Sequence, residues 1–237
     1  MVLWLQRLLV ETISLAVGLV LAALIAMQAL AVAMFDGMDS CVWLCVGVIP
    51  TFLCLIAAHE VGHLLAGKAA GLSFARFTVG LLTVERIEGR LLVRLNRLWF
   101  QPAAYVVAGL PAGNTSIRRW ATMVAGGPLA NLLICVFCLI AASIINPGPT
   151  DMIPSEARPG WRSVALLMPG NLTTAWLNVA ALISLGFGLG TLIPGRAAGL
   201  RTDGGQLFDL FCGQGAPNQS MPFFAAPTED ASSPSQP

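Results

Sequence analysis

Charge is what this chain has least of. Only 11% of its 237 residues are charged, where soluble domains carry about 25%. Hydrophobic residues make up 56%, and the mean hydropathy is +0.77. That balance excludes an ordinary soluble domain and indicates an integral membrane protein. Histidine is scarcer still: the chain holds two, so no metal site built from it alone can have three imidazoles. Disulfide chemistry is also unsupported. Of the six cysteines, Cys41, Cys45, Cys54, Cys135, Cys138 and Cys212, four or five lie within or at the edge of apolar runs. This favours small buried hydrophobes over a disulfide framework. Cys135 and Cys138 have CxxC spacing, but they sit inside an apolar run with no second pair, so no metal or redox role is assigned to them. No internal repeat is present, and no nucleic-acid partner is expected.

What the chain does have is four long apolar runs, at 13–35, 42–67, 120–145 and 172–193. Each reaches the roughly 20 residues a helix needs to cross a hydrocarbon core of about 30 Å. The first contains no charged residue, exceeds the length of a signal-peptide core and lacks a convincing cleavage site after it, so it reads as a retained span. Basic residues cluster between the second and third runs: Lys68, Arg76, Arg86, Arg90, Arg94, Arg97, Arg118 and Arg119. The other loops offer Asp36 and Asp39, or charges that cancel (Asp151, Glu156, Arg158, Arg162). Positive-inside bias then places 68–119 and both termini in the cytoplasm.

The expected fold is an α-helical integral membrane protein of about four transmembrane helices. A small membrane-associated β-hairpin is expected between the second and third, in the region 72–100. Within Phe74–Leu95, Glu88-Gly89 sits between two β-rich stretches and reads as a hairpin turn. Arg86, Arg90, Arg94 and Arg97 also fall at helical spacing, which would suit an interfacial helix ending at Trp99. Gly89 and the β-branched content favour the hairpin. Residues 146–162 read as an outer loop. Residues 1–212 form the expected membrane core, and the Pro- and Ser-rich stretch 213–237 an expected disordered tail.

Both histidines belong to one motif, His59-Glu60-Val61-Gly62-His63, near the end of the second run. An ionisable group in an apolar span is costly and marks function by default. On a helix His59 and His63 share a face and can grip one metal ion, and Glu60 is placed to take a proton from a water held there. A chance HExxH in such a chain has odds of roughly a few in 10,000. A catalytic zinc takes a third protein ligand and leaves its fourth position open, so the third must be Asp, Glu or Cys. His63 lies five residues before Lys68, which puts the site about 8 Å below the cytoplasmic edge. Asp36, Asp39, Asp151 and Glu156 lie at the wrong end, and Glu85 and Glu88 belong to the hairpin. Asp209 falls beyond the expected start of a short helix at 206–211. Asp203, in Thr202-Asp203-Gly204-Gly205, is the best candidate, and the competing role for it is as N-cap of that helix. Two imidazoles and a carboxylate favour zinc, one per chain, though iron or cobalt also suits the set. On the same side Gly126-Gly127-Pro128-Leu129-Ala130-Asn131 opens the third span, with small residues for close helix approach and an amide at the depth of the metal. Asn178, in the fourth span, is assigned no role.

Taken together in this order, HExxH, the Gly126–Asn131 motif and Asp203-Gly204-Gly205 resemble the site-2 protease family of intramembrane zinc metalloproteases, over roughly residues 45–212. The resemblance implies that His59, His63 and Asp203 bind zinc and that Glu60 is general base and acid. It also implies that Gly127, Pro128 and Asn131 help hold the substrate strand or the developing oxyanion, and that the hairpin matches the family's membrane-associated one. This chain departs from the family at Thr191, where Asn is common, and in a longer stretch from Pro194 to Asp203. With no room for a PDZ insert between the second and third spans, a minimal, core-only member is expected. The expected activity is hydrolysis of peptide bonds in membrane-embedded or membrane-anchored substrates, in a bacterial plasma membrane. The alternative is a catalytically inactive metal-binding membrane protein that scaffolds or binds substrate. A metal transporter would need further intramembrane ligands, and the first span has none.

Overall fold

Apolar runs without internal charge fold as helices because only a helix satisfies its own backbone in lipid. The computed structural model describes residues 2–80, 82–87, 89–95, 104–109, 116–145, 169–197 and 200–212. It contains four helices long and apolar enough to cross a membrane: α1 (Val2–Phe35), α2 (Met38–Ala69), α3 (Ile117–Ile145) and α4 (Leu172–Leu192). The helix α1 starts eleven residues before the apolar run at 13, because the lead is itself rich in good helix formers such as Leu and Gln. A short helix, α5 (Asp203–Phe211), follows α4. The expected outer loop at 146–162 and the tail at 213–237 lie outside the described residues, as do Glu88, Arg97 and Trp99.

The helices pack as a bundle with α3 against both α2 and α4, and α1 against α4 and α2. Val32 of α1, Leu44 and Leu55 of α2, and Ala175, Val179 and Ile183 of α4 form one buried cluster. The outer faces are apolar too: Leu19, Leu53, Leu133 and Phe137 are all exposed, as lipid-facing helices require. Cys135 and Cys138 are buried against Ala181, in keeping with a packing role, while Cys45, Cys54 and Cys212 are exposed rather than buried. All six cysteines are free. Within the apolar bundle the Asn178 amide donates to Gln28 Oε1 at 3.1 Å, an interhelical bond between α4 and α1. At one end, Asn171 caps α4 by accepting from the Thr174 amide, and Asp36 accepts from the Leu172 amide at 3.0 Å.

Two helices approach closely only where side chains are absent. A Cβ on Gly62 of α2 would stand 2.5 Å from the Gly126 carbonyl oxygen of α3, and a Cβ on Gly126 would stand 2.5 Å from the Gly62 oxygen. This reciprocal contact lies one residue from His63 and one from Gly127, so the crossing point and the histidines are brought together by the same backbones.

Between α2 and α3 lies an antiparallel sheet of β1 (Ser73–Val79), β2 (Leu82–Ile87), β3 (Arg90–Leu95) and β4 (Ala104–Gly109), in the order β3-β2-β1-β4. The expected hairpin is its β2–β3 half, turning at Gly89 with φ +81°. Among the described residues, 86–87 and 90–95 are strand rather than helix. The arginines at helical spacing do not share a face here, since Arg86 pairs with Leu91 and Arg90 with Ile87. Glu85 is buried between Arg76 of β1, at 2.9 Å, and Arg94 of β3, at 3.0 Å. The strands β1 and β4 pack on α2, so the sheet sits over the end of the bundle that carries the histidines.

The Gly62–Gly126 contact sets the α2–α3 spacing, so Gly62→Ala should cost about 1–3 kcal/mol and lower the melting temperature in detergent. Gly18→Ala, where a Cβ meets nothing within 4 Å, should not. Equal melting of the two variants would contradict the close crossing.

Candidate metal centre

Spacing along α2 places His59 and His63 one turn apart on the face that meets α3. Their rings stand edge to face with centroids 4.7 Å apart, and their Nε2 atoms are 3.1 Å apart. Asp203, in the first turn of α5, completes the group: its Oδ2 is 3.0 Å from His59 Nε2 and its Oδ1 is 3.3 Å from His63 Nε2. The three are 3%, 7% and 8% exposed, so the cluster is shut off from bulk water. Among the described residues this is the group of three whose donor atoms converge as metal ligands do.

The fit to a metal rests on those edges. A tetrahedral zinc with bonds of about 2.0–2.1 Å sets its ligand atoms about 3.3 Å apart. The two Nε2 atoms, 3.1 Å apart, match one such edge, and the Asp203 carboxylate approaches the first at 3.0 Å through Oδ2 and the second at 3.3 Å through Oδ1. The donor set, two imidazole nitrogens and a hard carboxylate, suits zinc, and three protein donors are the number a catalytic zinc takes.

Asp203 reaches the histidines because Thr202 fixes the turn before it. Thr202 is the N-cap of α5, its Oγ1 accepting from the Gly205 amide at 3.2 Å; the N-cap role considered for Asp203 belongs to its neighbour. The same hydroxyl donates to the Ile193 carbonyl at 2.7 Å and accepts from the Gly195 amide at 3.0 Å. The longer stretch after Pro194 folds away as a small ribbon, β5 (Arg196–Ala197) paired with β6 (Leu200–Arg201) and closed by Thr202 N–H to the Gly195 carbonyl at 3.1 Å. Gly204 allows the backbone contact with α4 at Leu192, where any Cβ would overlap the Leu192 carbonyl. Burial alone would raise the Asp203 carboxyl, but hydrogen bonds from His59 and His63 outweigh it and hold the group at about 2. Asp203 is therefore anionic across the working pH range.

The Gly126–Asn131 motif lines the other side of the rings. A Cβ on Gly127 would stand 2.3 Å from His63 Nε2 and 2.7 Å from His59 Nε2, so only glycine leaves the ligand atoms room. Asn131 is 0% exposed, with its amide nitrogen 3.2 Å from His59 Nδ1. Pro128 is buried facing α4, where its carbonyl lies 3.3 Å from a Cβ built on Gly188; it does not join the ring nitrogens. Glu60 is 7% exposed, one residue from His59. Three of the other acids are engaged elsewhere: Asp36 accepts from the Leu172 amide at the start of α4, Glu85 pairs with arginines, and Asp209 pairs with Arg201 at 3.0 Å.

Three contributors to the site escaped the sequence reading. The Met123 carbonyl lies 2.9 Å from His63 Nδ1 and can only accept, so that nitrogen carries a proton and Nε2 is the atom left to face a metal. The Gly127 amide, 3.2 Å from the same Nδ1, is thereby excluded as its donor. The Phe187 ring packs edge to face on His59 with centroids 5.2 Å apart. Thr202 carried a legible signal, a Thr immediately before a helix start, whereas a backbone carbonyl has none. Beside His63 a cavity of about 10 Å³, also lined by Gly67, Phe74, Val106 and Met123, lies between the site and the sheet. It has room for about one water.

Comparison with known proteins gives one partial match. The chain is 33% identical to a Chlamydia trachomatis (serovar D) protein named "Putative zinc metalloprotease", in an alignment of 106 residues that covers 35% of this chain and 17% of that protein. The chain thus spans about a sixth of the length of the curated relative it matches. No protein-family model matches the chain. No solved structure matches it.

Purified without chelators, the protein should carry about one zinc per chain. His59→Ala, Asp203→Ala and Gly127→Ala should each lower zinc content at least about tenfold, the last by crowding the ring nitrogens rather than by removing a ligand. Zinc retained in Asp203→Ala would identify a different third ligand.

Proposed function

We propose that this protein is an intramembrane zinc metalloprotease of the site-2 protease type, hydrolysing peptide bonds of membrane-embedded or membrane-anchored substrates. The observation that carries the reading is the convergence of His59, His63 and Asp203 on one buried point, with Glu60 beside it inside apolar helices. The similarity to a protein named as a zinc metalloprotease points the same way. When bound, zinc lowers the pKa of a coordinated water toward neutrality and polarises a carbonyl.

The chain's own residues supply the rest. His59 and His63 hold the metal from one turn of α2, and Asp203 closes the face from α5. Glu60, adjacent to His59, takes a proton from the attacking water and passes it to the leaving amine. Apolar helices exclude bulk water, which strengthens each electrostatic contact at the site. The substrate must be unwound before attack, since a hydrogen-bonded helix hides its carbonyls. The basic residues Lys68, Arg76, Arg86, Arg90 and Arg94 cluster at the site's end of the bundle, which supports a cytoplasmic-facing active site; a bacterial plasma membrane follows by analogy with the family alone.

The alternative, a metal-binding protein without activity, needs a use for a closed structural site. The converging group among the described residues has three protein donors, where a structural zinc takes four. Cys54 and Cys212 are exposed and stand outside the group.

Glu60→Gln tests the reading. It should keep about one zinc per chain and lose at least about a hundredfold in cleavage of a membrane-anchored peptide reporter in proteoliposomes. Full cleavage by this variant would exclude Glu60 as the proton carrier.

A further inference from the structure

His59 can serve as a zinc ligand through Nε2 only if that nitrogen holds a lone pair. The imidazole proton must then sit on Nδ1 and be donated to an acceptor. At His63 the Met123 carbonyl is that acceptor. At His59 the polar group facing Nδ1 is the Asn131 carboxamide, at 3.2 Å. As oriented, Asn131 presents its NH2 to Nδ1, which puts the His59 proton on Nε2, aimed at Asp203 Oδ2 3.0 Å away. That is a sound metal-free arrangement. In it the Asn131 Oδ1 is buried with no hydrogen-bond partner.

A carboxamide presents either an acceptor or a donor by turning about its last torsion, and the two orientations occupy nearly the same space. We infer that Asn131 is a positioning residue for the metal: with zinc bound it turns Oδ1 toward His59 Nδ1, accepts that N–H and holds the ring in the tautomer that ligates through Nε2. The movement balances without a co-reactant. His59 gives its Nε2 proton to water and takes one from water at Nδ1, with no net change in protonation, so that Nε2 would offer its lone pair to the metal and Asn131 would accept the Nδ1 proton. Full burial of Asn131, at 0% exposure, suits this role better than contact with a substrate strand. The inference rests on the zinc-site reading above and deepens it.

The test is a zinc competition titration with a chromogenic chelator on full-length wild type, Asn131→Leu and Asn131→Asp. Helix content and elution volume in detergent check folding. Leu fills the space and removes the acceptor, so zinc affinity should fall about 10–100-fold. Asp is an obligate acceptor and should bind zinc at least ten times more tightly than Leu. Wild-type affinity in Asn131→Leu, or an Asp variant no better than Leu, overturns the inference. No zinc binding by wild type overturns the zinc-site reading itself, a separate outcome. Because the chain has two histidines, 15N-histidine spectra of the wild type give a second readout that needs no variant. Zinc should move the His59 proton from Nε2 to Nδ1 while His63 keeps its own on Nδ1. A His59 Nδ1 that stays unprotonated in the zinc-loaded protein also overturns the inference.

Discussion

Two imidazoles and a carboxylate brought within 3.3 Å of one another inside an apolar bundle form the contact on which the rest of the structure depends. Burying such groups is tolerable only when each is paired, and an unpaired buried charge is worth several kcal/mol against folding. Asp203 has His59 and His63, His63 has the Met123 carbonyl, and His59 has Asn131 and the Phe187 ring. The partners come from α2, α3, α4 and α5, so the bundle cannot rearrange at one helix without exposing a polar atom at another.

Close approach of α2 and α3 makes that network possible. Gly62 and Gly126 bring the two backbones into contact, and Gly127 leaves open the space at the ring nitrogens. The same three glycines therefore serve packing and chemistry at once. On the other side, Thr202 and Gly204 seat the start of α5 against the end of α4, which is what carries a carboxylate from a separate segment to the histidines. The sheet then covers this end of the bundle, with Glu85 ion-paired to both Arg76 and Arg94.

Much of this was legible in the sequence because its signals are local. Run length alone located the four helices, and Gly89 located the β2–β3 turn. The HExxH spacing fixed two donors, and topology selected Asp203 from the acids. What was not legible depends on partners distant in the chain. The strand β4, Ala104–Gly109, is a short stretch of small and β-branched residues that acquires meaning only by pairing with β1. Arg90 and Arg94 share a face of β3 because side chains alternate along a strand, whereas Arg86 pairs with Leu91 on the opposite face, so the helical spacing of the arginines marks no common face. Asp203 against Thr202 as the helix cap could not be separated by composition, since both residue types cap well; the backbone decides it. The contact of Asn131 with His59 spans α2 and α3 and has no sequence signature beyond depth.

The most direct measurement is X-ray absorption at the zinc edge on the detergent-purified, zinc-loaded protein. The account predicts nitrogen and oxygen ligands only, at about 2.0–2.1 Å, with the multiple-scattering pattern of two imidazoles and four ligands in all. A sulfur ligand at about 2.3 Å, or scattering from fewer than two imidazoles, would contradict it.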